Sequence, residues 1–253
     1  MARAGGGASW ARRLPWAPAL LGAAVLAASG CSVKGADNAN LIAGKQAFVA
    51  KCGSCHALAR AGTKGIVGPN LDESFRQGLA VGEGRDTVRG VVEQQVLNPN
   101  PEGAMPKDLA GGTKLRDIAA YVSRVVARPG QDSGLLASAV QPAGSGKPAV
   151  EKGGKLQIPA SPSGQLAYAT AKASATAGPV SIEMPNSSGV SHNIAIEAGE
   201  HGASGPGPVL GASPFTAKGA VSVKVSLKPG TYTFFCQVPG HRQAGMTGAL
   251  IVK

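Results

Sequence analysis

The chain has no dense run of Lys or Arg and little aromatic character, with 4% Phe, Trp and Tyr. Its formal charge of +11 is spread evenly, so nucleic acid is not expected as a partner and an anionic docking face or membrane surface fits better. It also has no apolar run of spanning length. Leu14 to Gly30 is uncharged and rich in Ala and Leu, yet shorter than the ~20 residues a transmembrane helix needs. Only four cysteines, four histidines and four methionines are present, and no cysteine needs another as a disulfide partner. There is no internal repeat.

The N-terminus reads as a targeting segment. Arg3, Arg12 and Arg13 precede the apolar stretch, which ends in Ala28-Ser29-Gly30-Cys31. That ending resembles a bacterial lipobox, whose cysteine is acylated and becomes the new N-terminus; the alternative is an uncleaved anchor. Residues 1–31 are expected to be a lipoprotein signal peptide, with the remainder exported and held on the extracytoplasmic face of a membrane, periplasmic or at the cell surface. The leader holds three of the 25 basic residues and none of the 14 acids, so the mature chain stays basic.

Two periodicities divide the rest. Leu41, Gly44, Phe48 and Cys52 fall at helical spacing after the cap candidates Asp37 and Asn38. Val88, Val91, Val92 and Val96 form a second stripe, stopped by Asn98-Pro99. Leu115, Ile118, Ala119, Val122, Val125 and Val126 form a third, entered through Thr113 and ended by Pro129-Gly130. Residues 38–128 are therefore expected to be a small helical domain whose irregular middle needs something large to pack around. Residues 129–155, with Gln141-Pro142-Ala143-Gly144-Ser145-Gly146-Lys147-Pro148, have linker composition and are expected to be flexible. From 156 to 253 the period becomes two. Val180, Ile182 and Met184, then Ile194 and Ile196, then Val221, Val223 and Val225 alternate with other residues, and Lys228-Pro229-Gly230 turns the chain into Tyr232-Thr233-Phe234. Short strands with such turns predict an antiparallel sandwich.

Cys52-Gly53-Ser54-Cys55-His56 is a C-x-x-C-H run. A C-x-x-C pair alone suits a redox dithiol or half a zinc site, but the adjacent imidazole and the absence of a second pair point to covalent haem c. Of the four methionines only Met105, in Gly103-Ala104-Met105-Pro106, lies in the helical half away from the initiator, so it is the candidate second axial ligand opposite His56. These features resemble the class I (mitochondrial-type) monohaem cytochromes c over about ninety residues. The resemblance implies that Gly44 and Phe48 on the first helix cross Ile118 and Tyr121 on the last. It also implies that Pro69, in Gly68-Pro69-Asn70-Leu71, accepts a hydrogen bond from His56.

Cys236-Gln237-Val238-Pro239-Gly240-His241 with Met246 supplies a thiolate, an imidazole and a thioether in one loop. His192, opening a strand, supplies a second imidazole; this is the ligand set of a type 1 (blue) copper centre. The arrangement resembles the plastocyanin/azurin-like cupredoxins over the last hundred residues. The implied fold is thus two domains, an all-α cytochrome c fold followed by an all-β Greek-key cupredoxin sandwich. His201 in a Gly-rich loop and Arg242 are read as solvated.

The expected function is that of a membrane-tethered electron carrier with one haem and one copper. It would serve respiratory partners such as a quinol-oxidising complex and a terminal oxidase or reductase. The competing reading, a nitrite reductase-like enzyme, needs a second copper with further histidines, and only His201 is spare. A dinuclear oxidase-type copper centre needs two cysteines where only Cys236 is available. Metal delivery would call for more exposed Met or His than Met184 and His201 provide.

Overall fold

The computed structural model describes residues 38–203, 205 and 207–253. The leader, Cys31 and Asp37 lie outside the described residues. Among the described residues no helix is long and apolar enough to cross a membrane.

The first half contains α1 (Leu41–Lys51), β1 (Ala57–Leu58), β2 (Thr63–Lys64), α2 (Leu71–Ser74), α3 (Arg76–Ala80), α4 (Arg85–Leu97) and α5 (Gly112–Val125). Asn40, two residues beyond the expected Asn38, caps α1: its side-chain oxygen accepts the amides of Ile42 and Ala43 at 3.1 Å. α1 packs against α5 because position 44 has no side chain. A Cβ there would strike the Asp117 carbonyl, and the close approach sets the Phe48 and Tyr121 rings 6.4 Å apart. On α4, Val88 and Val96 are buried while Val91 is 48% exposed, so the valine stripe is only partly core. α5 gives way at Val126 to Ala127, whose φ of 53° turns the chain before Pro129.

Residues 129–155 are not a free linker. They carry α6 (Leu135–Ser138) and β3 (Ala149–Val150) and are fastened at both ends. At one end Asp132 pairs with Lys45 and Arg60, each at 3.0 Å, and accepts the Tyr121 hydroxyl at 3.0 Å. Lys45 also donates to the Leu136 carbonyl, and Arg60 to those of Pro129 and Gln131. At the other end Gly146 donates to Ala169 and β3 joins a sheet. Its composition hid this, because most of the donors sit elsewhere in the sequence.

The second half adds β4 (Lys155–Gln157), β5 (Lys172–Ala175), β6 (Gly178–Asn186), β7 (Ala195–Ala198), β8 (Val209–Ala212), β9 (Gly219–Leu227), β10 (Gly230–Phe235), α7 (His241–Ala244) and β11 (Thr247–Val252). One sheet has the order β3-β5-β11-β10-β7-β8 and the other β4-β6-β9. The sandwich is mixed rather than antiparallel, since β5 pairs with β11, β3 with β5 and β4 with β6 in parallel. Alternation decides which side chains enter the core. β9 buries Val223, Val225 and Leu227 and exposes Ser222, Lys224 and Ser226. They meet Ile182, Met184, Ile194, Ile196, Phe234 and Leu250. Each fully buried large apolar side chain stabilises the fold by about 1.5–3 kcal/mol. The register aligns Phe235 with both Thr247 and Ala195, so the end of β10 and the starts of β11 and β7 share one edge of the sandwich.

Candidate functional site

That edge collects the copper ligands foreseen in the sequence. His192 lies just before β7 and is held by reciprocal backbone hydrogen bonds with Thr216 at 2.9 and 2.8 Å. Cys236 follows β10 directly, and α7 places His241 within the loop that returns to β11. The Cys236 amide donates to the Met246 carbonyl at 3.1 Å and the Met246 amide to that of His241 at 2.9 Å, closing the loop on itself. The ligand atoms of His192, Cys236 and His241 all lie within 4.8 Å of one another. The two Nδ1 atoms are 3.1 Å apart, and the Cys236 sulfur is 3.6 Å from Nδ1 of His241. Met246 is fully buried in the same cluster as Cys236.

Burial sets the protonation of the donors. Burial, and then the neighbouring His241, push His192 down to about 4. Burial lowers His241 too, so both rings are neutral at pH 7, the form that ligates. Burial raises the Cys236 thiol, while the amides of Asn193 and Val238 pull it back toward the thiolate. Among the described residues no cation acts on the sulfur to hold a thiolate by itself; a metal ion taking the proton's place would do so. Two neutral imidazoles, a thiolate and a thioether in a dry pocket fit copper.

Two supports escaped the sequence reading. Asn193 joins the ligand segments: its Oδ1 accepts the Gln237 amide at 2.8 Å, and its Nδ2 donates to Gln237 and to the Ser213 carbonyl. Its own carbonyl accepts the Tyr168 hydroxyl at 2.7 Å, and Tyr168 packs edge-on against Phe234 at 5.2 Å. Arg242 is not a solvated side chain. It forms a two-pronged ion pair with fully buried Glu197, donates through Nε to the Gly202 carbonyl at 3.0 Å, and lies 4.3 Å over the Phe235 ring. Asn directly after His192, and an acid inside the apolar alternation of β7, were the available signals, but neither is diagnostic. His201 is an exposed loop residue whose Nε2 donates to the Ala198 carbonyl.

In the helical half, Cys52, Cys55 and His56 occupy one turn, the amides of Cys55 and His56 both donating to the Cys52 carbonyl. His56 Nδ1 donates to the Pro69 carbonyl at 2.9 Å, which leaves Nε2 as the lone-pair nitrogen that an iron would take. Gly68 lies against the same ring, where a Cβ would approach Cε1 to 2.5 Å. Burial, then the neighbouring Cys55, push the Cys52 thiol up to about 12, so it stays protonated at neutral pH. Leu71, Phe75, Leu79 and Val92 are half-buried around this core, and Met105 is half-buried in the loop between α4 and α5. Two neighbouring thiols and an imidazole with a free Nε2 are a donor set of the kind a c-type haem takes.

Residues 158–253 match the family described as copper binding proteins, plastocyanin/azurin family. Among solved structures, auracyanin B is similar over 44% of this chain and 96% of its own, at 26% identity and a TM-score of 0.35. Reduced auracyanin from the photosynthetic bacterium Roseiflexus castenholzii is similar over 44% and 98%, at 21% identity and a TM-score of 0.32. Rusticyanin from Thiobacillus ferrooxidans is similar over 43% and 84%, at 18% identity and a TM-score of 0.31. Comparison with curated proteins finds no match. Family match and ligand geometry together define residues 158–253 as a cupredoxin domain. Its type 1 copper site consists of His192, Cys236, His241 and Met246.

Proposed function

We propose that the protein is a one-electron carrier with two centres, a type 1 copper in the sandwich and a covalent haem c in the helical half. The observation that carries the reading is the convergence of His192, Cys236 and His241 on one buried point. Bound copper would cycle between Cu(II) and Cu(I). The chain's own contribution is to hold neutral imidazoles and the sulfur in fixed positions and to exclude water, so that little moves when charge changes. For the helical half, support comes from the Pro69-anchored His56, the Cys52–Cys55 turn and Met105 as the candidate axial thioether. A cytochrome c-like domain over 38–128, acylation at Cys31 and exchange with a quinol-oxidising complex and a terminal oxidase or reductase complete the proposal. The chain would then work as an extracytoplasmic membrane-anchored carrier rather than an enzyme.

Spectroscopy of the oxidised mature protein tests it. A thiolate-to-copper charge-transfer band should stand beside a c-type haem spectrum, and Cys236→Ser should remove only the former. Met105→Ala should open the iron to carbon monoxide or cyanide; indifference to that substitution would overturn the axial assignment. A wild-type protein without thioether-bound haem would overturn the helical half of the proposal.

A further inference from the structure

The copper loop meets the C-x-x-C-H segment within the same chain. Gly240, immediately before His241, has φ of 81°, and a Cβ built on it would come within 2.7 Å of Ile66 Cδ1. Ile66 belongs to the loop between β2 and the Gly68-Pro69 segment that holds His56. Close by, a cleft of about 150 Å³ has Gly53, Thr63 and Lys64 on one wall and Gln165, Leu166, Ala244 and Gly245 on the other. Gly53 lies inside the Cys52–His56 motif, and Ala244 and Gly245 lie between the ligands His241 and Met246. A further approach occurs at Gly164, whose Cβ would sit 3.0 Å from Ala50 Cα at the end of α1. His241 is also the least enclosed copper ligand, 9% exposed against 0% for His192 and Met246 and 1% for Cys236.

We propose that this contact is a built-in electron junction, in which the Gly65–Val67 loop docks in cis on the copper loop through Ile66 and Gly240. The helical half is thereby the redox partner of the copper site; this rests on the two-centre reading above. One electron crosses per event. The metal that loses it is oxidised by one unit and the other reduced by one, with no proton moved and no bond made or broken; the relative potentials set the direction. The fastened 129–155 strap favours this arrangement, because it leaves the two halves little freedom to search for each other.

Ile66 is 66% exposed, so Ile66→Glu alters the contact without removing core packing. In the full mature protein, partial photoreduction followed at the haem and copper bands should show wild-type relaxation that is first-order and independent of protein concentration. Ile66→Glu should slow it roughly tenfold and raise amide hydrogen exchange across 238–246 by a similar factor, through loss of the docked population. Ile66→Leu should behave as wild type, and the spectra of both centres should persist in every variant. Relaxation that scales with protein concentration in the wild type overturns the junction, as does unchanged exchange in Ile66→Glu. A missing blue band or haem spectrum counts instead against the two-centre reading, and hydrogen exchange still decides whether the loops dock.

Discussion

Removing Arg242 tests whether the copper loop is held by the buried ion pair. Glu197 is fully enclosed, and Arg242→Ala takes away its cation, the hydrogen bond to Gly202 and the stack on Phe235. A buried carboxylate deprived of its partner costs about 3–5 kcal/mol. The Phe235 stack adds about 0.5–1 kcal/mol. Arg242→Ala should therefore lose about 4 kcal/mol. Urea denaturation of the copper-loaded protein, followed by the charge-transfer band, measures the loss. Glu197→Gln with Arg242→Met should recover at least half of the loss, because neither charge then remains buried. A loss below about 1 kcal/mol, or a double variant no better than Arg242→Ala, would refute the reasoning.

Asp132→Asn should destabilise the helical half by about 3 kcal/mol, since Lys45 and Arg60 lose their shared anion. Burial alone would raise the Asp132 carboxyl, but hydrogen bonds from Arg60, Lys45 and Tyr121 outweigh it and hold it below 3.8. Its contribution is therefore present above the unfolded value and lost as pH falls through the lower folded one. Wild type should lose stability below about pH 4 more steeply than the Asn variant in urea melts. Gly44→Ala should cost about 1–3 kcal/mol, because its methyl meets backbone on α5 and the helices must separate; an unchanged thermal midpoint would show that they yield freely. Chelating the copper should lower the midpoint while leaving amide protection at Ile194, Cys236 and Met246 largely intact, because those amides bond to Ser213, Met246 and His241 without the metal. Collapse of that protection on chelation would show that the metal shapes the loop.

The copper ligands were legible because three lie within eleven residues and their chemistry is distinctive, and His192 because it opens an alternating strand. The helical stripes were legible for the same periodic reason. What composition could not show were long-range partners. Residues 129–155 look like linker because their own side chains are small, whereas Lys45 and Arg60 supply the fastening. The parallel pairings escaped too, since a strand's alternation records which face is buried and not the direction of its neighbour. Arg242 was misread because a charged residue beside a ligand is usually solvated, and Glu197 gives no local sign that it is fully enclosed.

His241 faces two opposed requirements. A ligand that passes electrons outward must approach the surface, and surface loops are the segments most prone to local opening. The structure meets both by restraining the residues on either side rather than the ring itself. Arg242, just after His241, is anchored to Glu197 in β7 and to the 199–203 loop, while Gly240, just before it, lies under Ile66. The ring keeps its 9% exposure, yet the chain through it is fixed at both neighbours. Loosening either neighbour should therefore raise amide hydrogen exchange through the copper loop without touching a ligand. The two disturbances should differ: losing Arg242 frees the loop from its own sheet, while changing Ile66 frees it only from the helical half.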